Sequence, residues 1–554
     1  MKRFIIVLLA LLTLNLPFST ISSLWACTNL IVGKKASKDG SVIISYSSDD
    51  YGSFGFLRCI PAADHPAGTM HPLYHYESNN YLGEIPEVPH TYGVVGLMNE
   101  HQLTIHETTW GGREELTDTI SGLIDYGSLM VLGLQRAKTA REAIKVMTDL
   151  VKEYGYYSEG ESFSIADPNE VWIMEMIGKG PGVKGAVWVA VRIPDDCIAA
   201  HANQSRIHQF DLNDKENVMY SNDVISFARE KGYFNGVNKD FSFADAYNPL
   251  DFGGLRFCEA RVWSYYNMFT DRGNEFLPYI QGETKTPMPL YVKPNRKISV
   301  QDIQNAMRDH YEGTPLDISQ DFGAGAYHTP YRITPLSFEV NGQRYFNERP
   351  ISTQQSAWVF VAQMRENLPD AIGGVFWFGT DDANMTVFVP IYCCTDQVPS
   401  CFDEHIDGAG AQSFSFNSSF WVNNWIANMV YPRYDLMIDD VKATQTALED
   451  SFRQAQEAIE ATASRLAQTD MAQAKAFLTH YSNLSAQSYI DTWKKLGEYL
   501  VVKYNDTAVK RMGRRGMIGK EVDESTIVFR PGYPKGWAEE YVKQTGDRYK
   551  YPAE

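Results

Sequence analysis

The sequence predicts an α+β protein in which a mixed body is followed by an all-helical region. Three observations predict it. Short β-type runs separated by glycine-bearing turns recur between Thr28 and Ile391. An amphipathic helical stretch over 138–153 interrupts them. From Tyr434 onward the apolar residues take up helical spacing and keep it.

Taken in order, Thr28–Val32 is a compact run of strand formers. Residues 33–40 hold Lys34, Lys35, Lys38, Asp39 and two glycines and read as a turn, and 42–45 is apolar again. Residues 94–97 and 103–105 repeat that pattern around Asn99-Glu100-His101. Over 138–153, Ala140, Ala143, Ile144, Met147, Leu150 and Val151 share one helical face. Residues 163–165, 171–176, 187–193, 374–379 and 385–391 read as further strands. Met437, Ile438, Val441, Leu448, Phe452, Ala455, Ile459, Ala463 and Leu466 then follow helical spacing, and a second helical stretch covers 472–504. Two or three packed helices are expected there, followed by a Gly/Pro-rich tail containing Tyr533-Pro534-Lys535-Gly536-Trp537. The expected division is a leader over 1–26, a body over 27–433, a helical extension over 434–508, and a tail over 509–554 packed on the body.

Apolar residues make up 44% of the chain and charged residues 21%, enough to build a large core. The net charge is −18, and it becomes more negative once Lys2 and Arg3 leave with an acid-free leader. That balance argues against nucleic acid as a partner. Arg511, Arg514 and Arg515 are read as solvated surface. Of the seven cysteines, Cys393, Cys394 and Cys401 leave room for one loop-closing bridge. With His405 they match no standard zinc spacing, so no metal is expected.

Cys27 is the most informative residue. Lys2 and Arg3, the apolar run over 4–14 broken by Thr13, and Ala26 have the layout of a secretory signal peptide. Its apolar core is too short to span a bilayer. Cutting after Ala26 leaves a thiol and a free α-amine on one residue, a nucleophile–base pair. A rival reading takes Leu24-Trp25-Ala26-Cys27 as a lipidation box, which would block both groups. Trp25 is bulky for such a box, and the folded pattern begins directly after Cys27, so the nucleophile is preferred.

The blocks along the chain carry a resemblance. Cys27-Thr28-Asn29-Leu30-Ile31-Val32-Gly33 is followed by Gly96-Leu97-Met98-Asn99-Glu100-His101-Gln102 and by Glu107-Thr108-Thr109-Trp110-Gly111-Gly112. Then come Ala202-Asn203, Glu259-Ala260-Arg261-Val262-Trp263, and Arg308-Asp309-His310-Tyr311-Glu312-Gly313-Thr314. The series continues through Gly373-Gly374-Val375-Phe376-Trp377, Phe420-Trp421-Val422-Asn423-Asn424 and Lys503-Tyr504-Asn505-Asp506. In this order they resemble the cysteine-nucleophile dipeptidases, which belong to the N-terminal-nucleophile (Ntn) hydrolases and are related to penicillin V acylases and bile salt hydrolases. The resemblance spans nearly the whole chain after Ala26.

It implies a four-layer αββα sandwich with the helical region appended, and an exported enzyme, periplasmic or extracellular, that hydrolyses short peptides without a cofactor. Cys27 would attack the carbonyl and form a thioester. Asp49, preferred over its neighbour Asp50, would orient the Cys27 amine. The Asn203 side chain and the Thr108 backbone N–H would bind the oxyanion, and Arg261 would favour the thiolate. The acylase relatives place an arginine where this chain has Tyr46, which opens the alternative of an N-acyl amide substrate. A lipidated, non-catalytic surface protein is the third reading, and only that one needs a membrane. His310 is read as structural. A homo-oligomer is possible.

Overall fold

The computed structural model describes residues 27–512 and 528–553. The leader over 1–26 and the pair Arg514 and Arg515 lie outside the described residues.

The body is built on two antiparallel sheets. The first has seven strands. Thr28–Val32 lies between Ile198–His201, whose outer neighbour is Tyr291–Val292, and Val42–Asp49. Beyond Val42–Asp49 come Ser356–Met364, Val375–Thr380 and Val389–Tyr392. Every residue of Thr28–Val32 is buried, as expected of a central strand covered on both faces. Gly33 N–H donates to the Cys197 carbonyl at 3.0 Å, and Gly40 turns the chain back at φ +81°.

The second sheet has eight strands. In spatial order they are Val218–Tyr220, Ala186–Ile193, Val171–Gly178, Gly160–Ala166, Thr104–Gly111, Met98–Asn99, Val94–Val95 and Cys59–Ile60. Side chains of the two sheets meet directly. His201 reaches Thr108 and Ser164, and Tyr46 stacks on His106 with ring centroids 5.6 Å apart. The helices Tyr126–Arg136 and Ala140–Tyr154 pack on the second sheet, while Ala260–Phe269 and Val300–Ala306 pack on the first. Ala140–Tyr154 follows the predicted amphipathic face, starts on a Thr139 cap and stops at Gly155, φ +81°.

Two strands run further than their apolar residues indicate. The predicted 42–45 extends to Asp49, and 103–105 extends to Gly111. Most of the added residues are polar and buried, so no alternation of apolar and polar side chains marks them. The predicted strand over 385–391 shortens at its start. Asp382 turns the chain there, accepting the Asn384 N–H on its carboxylate and the Met385 N–H on its carbonyl, and the ladder begins at Val389.

The C-terminal region is helical. Tyr434–Ala467 and Met471–Tyr504 form an antiparallel hairpin, with Asp470 capping the second helix. Buried ion pairs fasten it to the body: Arg308 to Glu449, and Arg365 to Glu460 through two bonds of 2.8 and 2.6 Å. Tyr392 adds a bond to Glu460 at 3.1 Å. The tail contains a helix that its glycine and proline content hides, Lys535–Thr545. Trp537 stacks on Phe322 at 5.0 Å. No helix among the described residues is long and apolar enough to cross a membrane. The cysteines are free thiols, and Cys393 and Cys401 turn to the carbonyls of Asp370 and Ala486.

Candidate active site

Cys27 stands at the mouth of the first strand, between the two sheets, and is 4% exposed. Its Sγ lies 3.3 Å from Tyr46 Oη, and the Tyr46 hydroxyl donates to Glu107 Oε1 at 3.0 Å. Turned to Glu107, the hydroxyl leaves its oxygen to accept the Cys27 S–H; turned to the sulfur, it supports a thiolate. Burial, then the charges of Glu107 and Asp49, push the thiol well above its ordinary range. The Tyr46 hydroxyl and the Asp49 backbone N–H pull in the other direction. The surroundings therefore favour the neutral thiol at rest.

Arg261 is brought to Cys27 but not to its sulfur. Nη1 donates to the Cys27 carbonyl at 2.6 Å and to Thr28 Oγ1 at 2.8 Å. Nη2 donates to the Ala202 carbonyl at 3.2 Å and to Asn203 Oδ1 at 2.9 Å, and Nε to the Phe257 carbonyl at 2.6 Å. Burial and the charge of Arg349 lower its pKa to about 10, so it stays a cation at neutral pH. All five bonds end on oxygens and none on the sulfur, so a single rigid fork fixes the Cys27 main chain and Asn203 together.

Asn203 follows the strand Ile198–His201 in a left-handed conformation, φ +58°. With Oδ1 held by Arg261, its Nδ2 donates to the Thr109 carbonyl at 2.6 Å. The loop behind it is anchored by Glu175, which accepts from Ser205 Oγ at 2.5 Å and from the Arg206 N–H at 2.6 Å.

Thr108 lies within Thr104–Gly111, opposite Ser162 of the neighbouring strand. The Ile105 N–H bonds the Leu97 carbonyl, and the Glu107 and Thr109 carbonyls accept from Asn29 and Asn203. Residues 105, 107 and 109 thus turn their backbone groups away from Gly160–Ala166. Strand alternation then points the Thr108 amide at its partner Ser162 and the Thr109 amide toward Asn203. The Thr108 side chain bonds His201 Nδ1 at 2.7 Å. Burial lowers His201 to about 3, which makes it a neutral tie between sheets.

Asp49 lies beside Cys27, with its carboxylate turned to other partners. Its carboxylate accepts from Ser47 Oγ at 3.0 Å, from Ser356 Oγ at 2.6 Å and from Arg349. This anchors the end of the second strand and aims the Asp49 N–H at the sulfur. Asp50 instead accepts from the Gly52 N–H and Ser53 Oγ in a surface turn. His310 turns to Glu312 at 3.1 Å and lies edge-on to Tyr331.

A family model for peptidase family C69 matches residues 26–447, well over half of the chain. The chain belongs to peptidase family C69. This C69 peptidase is 28% identical over 500 residues to a probable dipeptidase of Latilactobacillus sakei, covering 86% of this chain and 95% of the relative. It is 29% identical over 388 residues to a probable dipeptidase of Salmonella dublin, covering 66% and 81%. Dipeptidase A of Lactobacillus helveticus is 25% identical over 453 residues, covering 77% and 85%.

Sequence reasoning about this C69 peptidase missed Glu107, Glu161, Arg349 and Ser356 as site residues. A carboxylate inside a strand was the available signal for the two glutamates; nothing in spacing marks the other two. Tyr46→Phe tests the Cys27–Tyr46–Glu107 chain. It removes one hydrogen bond to a charged sulfur, so kcat/KM falls roughly 10- to 100-fold. Alkylation of Cys27 by iodoacetamide shifts to higher pH. Unchanged kinetics and an unshifted alkylation profile would separate Tyr46 from the chemistry.

Proposed function

We propose that the protein is an exported dipeptidase, periplasmic or extracellular, whose Cys27 becomes N-terminal when residues 1–26 are removed. The reading rests on one observation above the others. Cys27 sits at the head of a central strand with Arg261 on its carbonyl and the Asp49 N–H and Tyr46 hydroxyl on its sulfur. The relatives named as dipeptidases give the substrate class. The two contacting sheets, with helices on each, fit a four-layer αββα Ntn sandwich.

The Cys27 α-amine, ordinary pKa ~7.7–8.0, takes the thiol proton as Sγ attacks the peptide carbonyl. Asn203 Nδ2 has two N–H groups; one goes to Thr109, and the second is available to the oxyanion with the Thr109 amide. Collapse breaks the C–N bond, and the amine returns its proton to the leaving amino group. Water then hydrolyses the Sγ–acyl thioester and frees Cys27. Nucleophile and base sit on one residue, so this chemistry asks for no metal.

The base must be neutral to act. We expect kcat/KM to rise with pH through the ionisation of the Cys27 amine, and a profile flat from pH 6 to 9 would contradict the assignment. Lipidation is disfavoured because a diacylglycerol on a sulfur buried between two sheets has no space. Hydrolysis of a panel of dipeptides beside the matching N-acyl amino acids tests the substrate class: cleavage confined to N-acyl amino acids would overturn it.

A further inference from the structure

A pocket of about 230 Å³, lined in part by Glu77, Thr109, Tyr126, Glu159 and Glu161, is linked to Cys27 through Thr109, Glu107 and Tyr46. Thr109 joins it to the site through the bond from Asn203. Three carboxyl groups line it, a fourth, Glu107, lies behind Thr109, and no lysine or arginine is among the lining residues. Glu161 is fully buried, and its Oε1 accepts from Thr109 Oγ1 at 2.8 Å. Its Oε2 has no donor among the described residues.

We propose that the Glu107–Glu161 pair at the inner end of this pocket is the subsite for the α-ammonium of the substrate's first residue. The inference rests on the dipeptidase reading above and narrows it to peptides with an unblocked amino terminus, cut at their first peptide bond.

The geometry fits an aminoacyl group. Its ammonium nitrogen lies about 2.5 Å from the carbonyl carbon that Sγ attacks. One hydroxyl, that of Tyr46, separates Sγ from Glu107. A carbonyl held at Sγ therefore carries its ammonium into reach of the pair. The electrostatics agree. Burial, with Glu77 on one side, raises Glu107 to about 7, and burial with the charge of Glu107 raises Glu161 further. Two such carboxyls hold a proton between them, and an entering ammonium replaces it with a charge-assisted bond. Glu159 and Tyr126 also face the pair, and Tyr126 donates to Glu77 at 2.7 Å. An uncharged N-acyl group brings the pair no positive charge and leaves it holding its proton.

The test compares one unblocked dipeptide with its des-amino counterpart, in which hydrogen replaces the ammonium, on the wild-type enzyme. The expected kcat/KM ratio is roughly 100-fold in favour of the ammonium. Glu161→Gln should cut that ratio to about tenfold or less. A merely structural role would lower both substrates alike. Folding is followed by melting at pH 8. A carboxyl whose folded pKa is raised destabilises the fold as pH rises through it, so the variant should melt no lower than wild type there. Equal wild-type rates on both substrates, or a variant with the full ratio, would overturn the subsite while leaving the dipeptidase reading intact. Cleavage of neither substrate would overturn that reading, and the subsite with it. A variant that fails to fold leaves the wild-type ratio to decide.

Discussion

Cys27→Ala lowers dipeptide turnover by ~10⁴-fold or more and leaves the fold in place. Removing a nucleophile from a site whose groups act as a unit forfeits nearly all of its catalysis, and oxyanion binding alone keeps only a small residue of rate. The fold persists because Arg261 grips the carbonyl of residue 27, which the substitution keeps, and the strand Thr28–Val32 is held by ladders on both sides. Circular dichroism and turnover on one preparation check both halves. Retained activity would remove Cys27 from the mechanism; an unfolded variant would assign it to the core.

Arg261→Met has the second largest effect, and it acts on both stability and rate. Five acceptors lose their donor: the carbonyls of Cys27, Ala202 and Phe257, Thr28 Oγ1 and Asn203 Oδ1. A buried group left unpaired costs ~1–3 kcal/mol, and relaxation recovers part of the total, so a loss of roughly 3–5 kcal/mol is expected. The surviving folded enzyme has a nucleophile and an oxyanion donor free to drift, and a shift of about 1 Å costs ~10²-fold in kcat. Arg261→Lys keeps the charge but not the planar fork and restores only part of either quantity. Urea unfolding and kcat measured on folded protein separate the two effects. A destabilised variant with unchanged kcat would reduce Arg261 to a structural tie.

What was legible in the sequence follows from where polar groups are buried. Thr28–Val32 announces itself as a compact run of strand formers, and the helix Ala140–Tyr154 because its apolar residues repeat at the helical period. The strands that carry the site end too early in the same reading. Residues 46–49 and 106–109 put Tyr46, Asp49, His106, Glu107 and Thr108 inside the protein, where folding alone would prefer apolar side chains. That conflict between local pattern and placement is typical of functional strands. Cys27 was reached from the leader layout and Asp49, Asn203 and Arg261 through motif resemblance, and the folded chain places the four close together. Where the Thr108 amide points was not legible, because strand parity is set by pairing with Gly160–Ala166. Arg349 and Ser356 act on Asp49 from far along the chain, Ser356 as its partner on the neighbouring strand, and only the folded chain shows it.

The central claim is that one residue supplies both nucleophile and base, and one comparison tests it most directly. Hydrolysis of the same dipeptide is measured with two chains, one beginning at Cys27 and one keeping Ala26 before it. In the second, the nitrogen is an amide and cannot take the thiol proton. The account predicts that the first chain is active and the second at least ~10²-fold slower, the typical contribution of a positioned base. Equal rates for the two chains would contradict it.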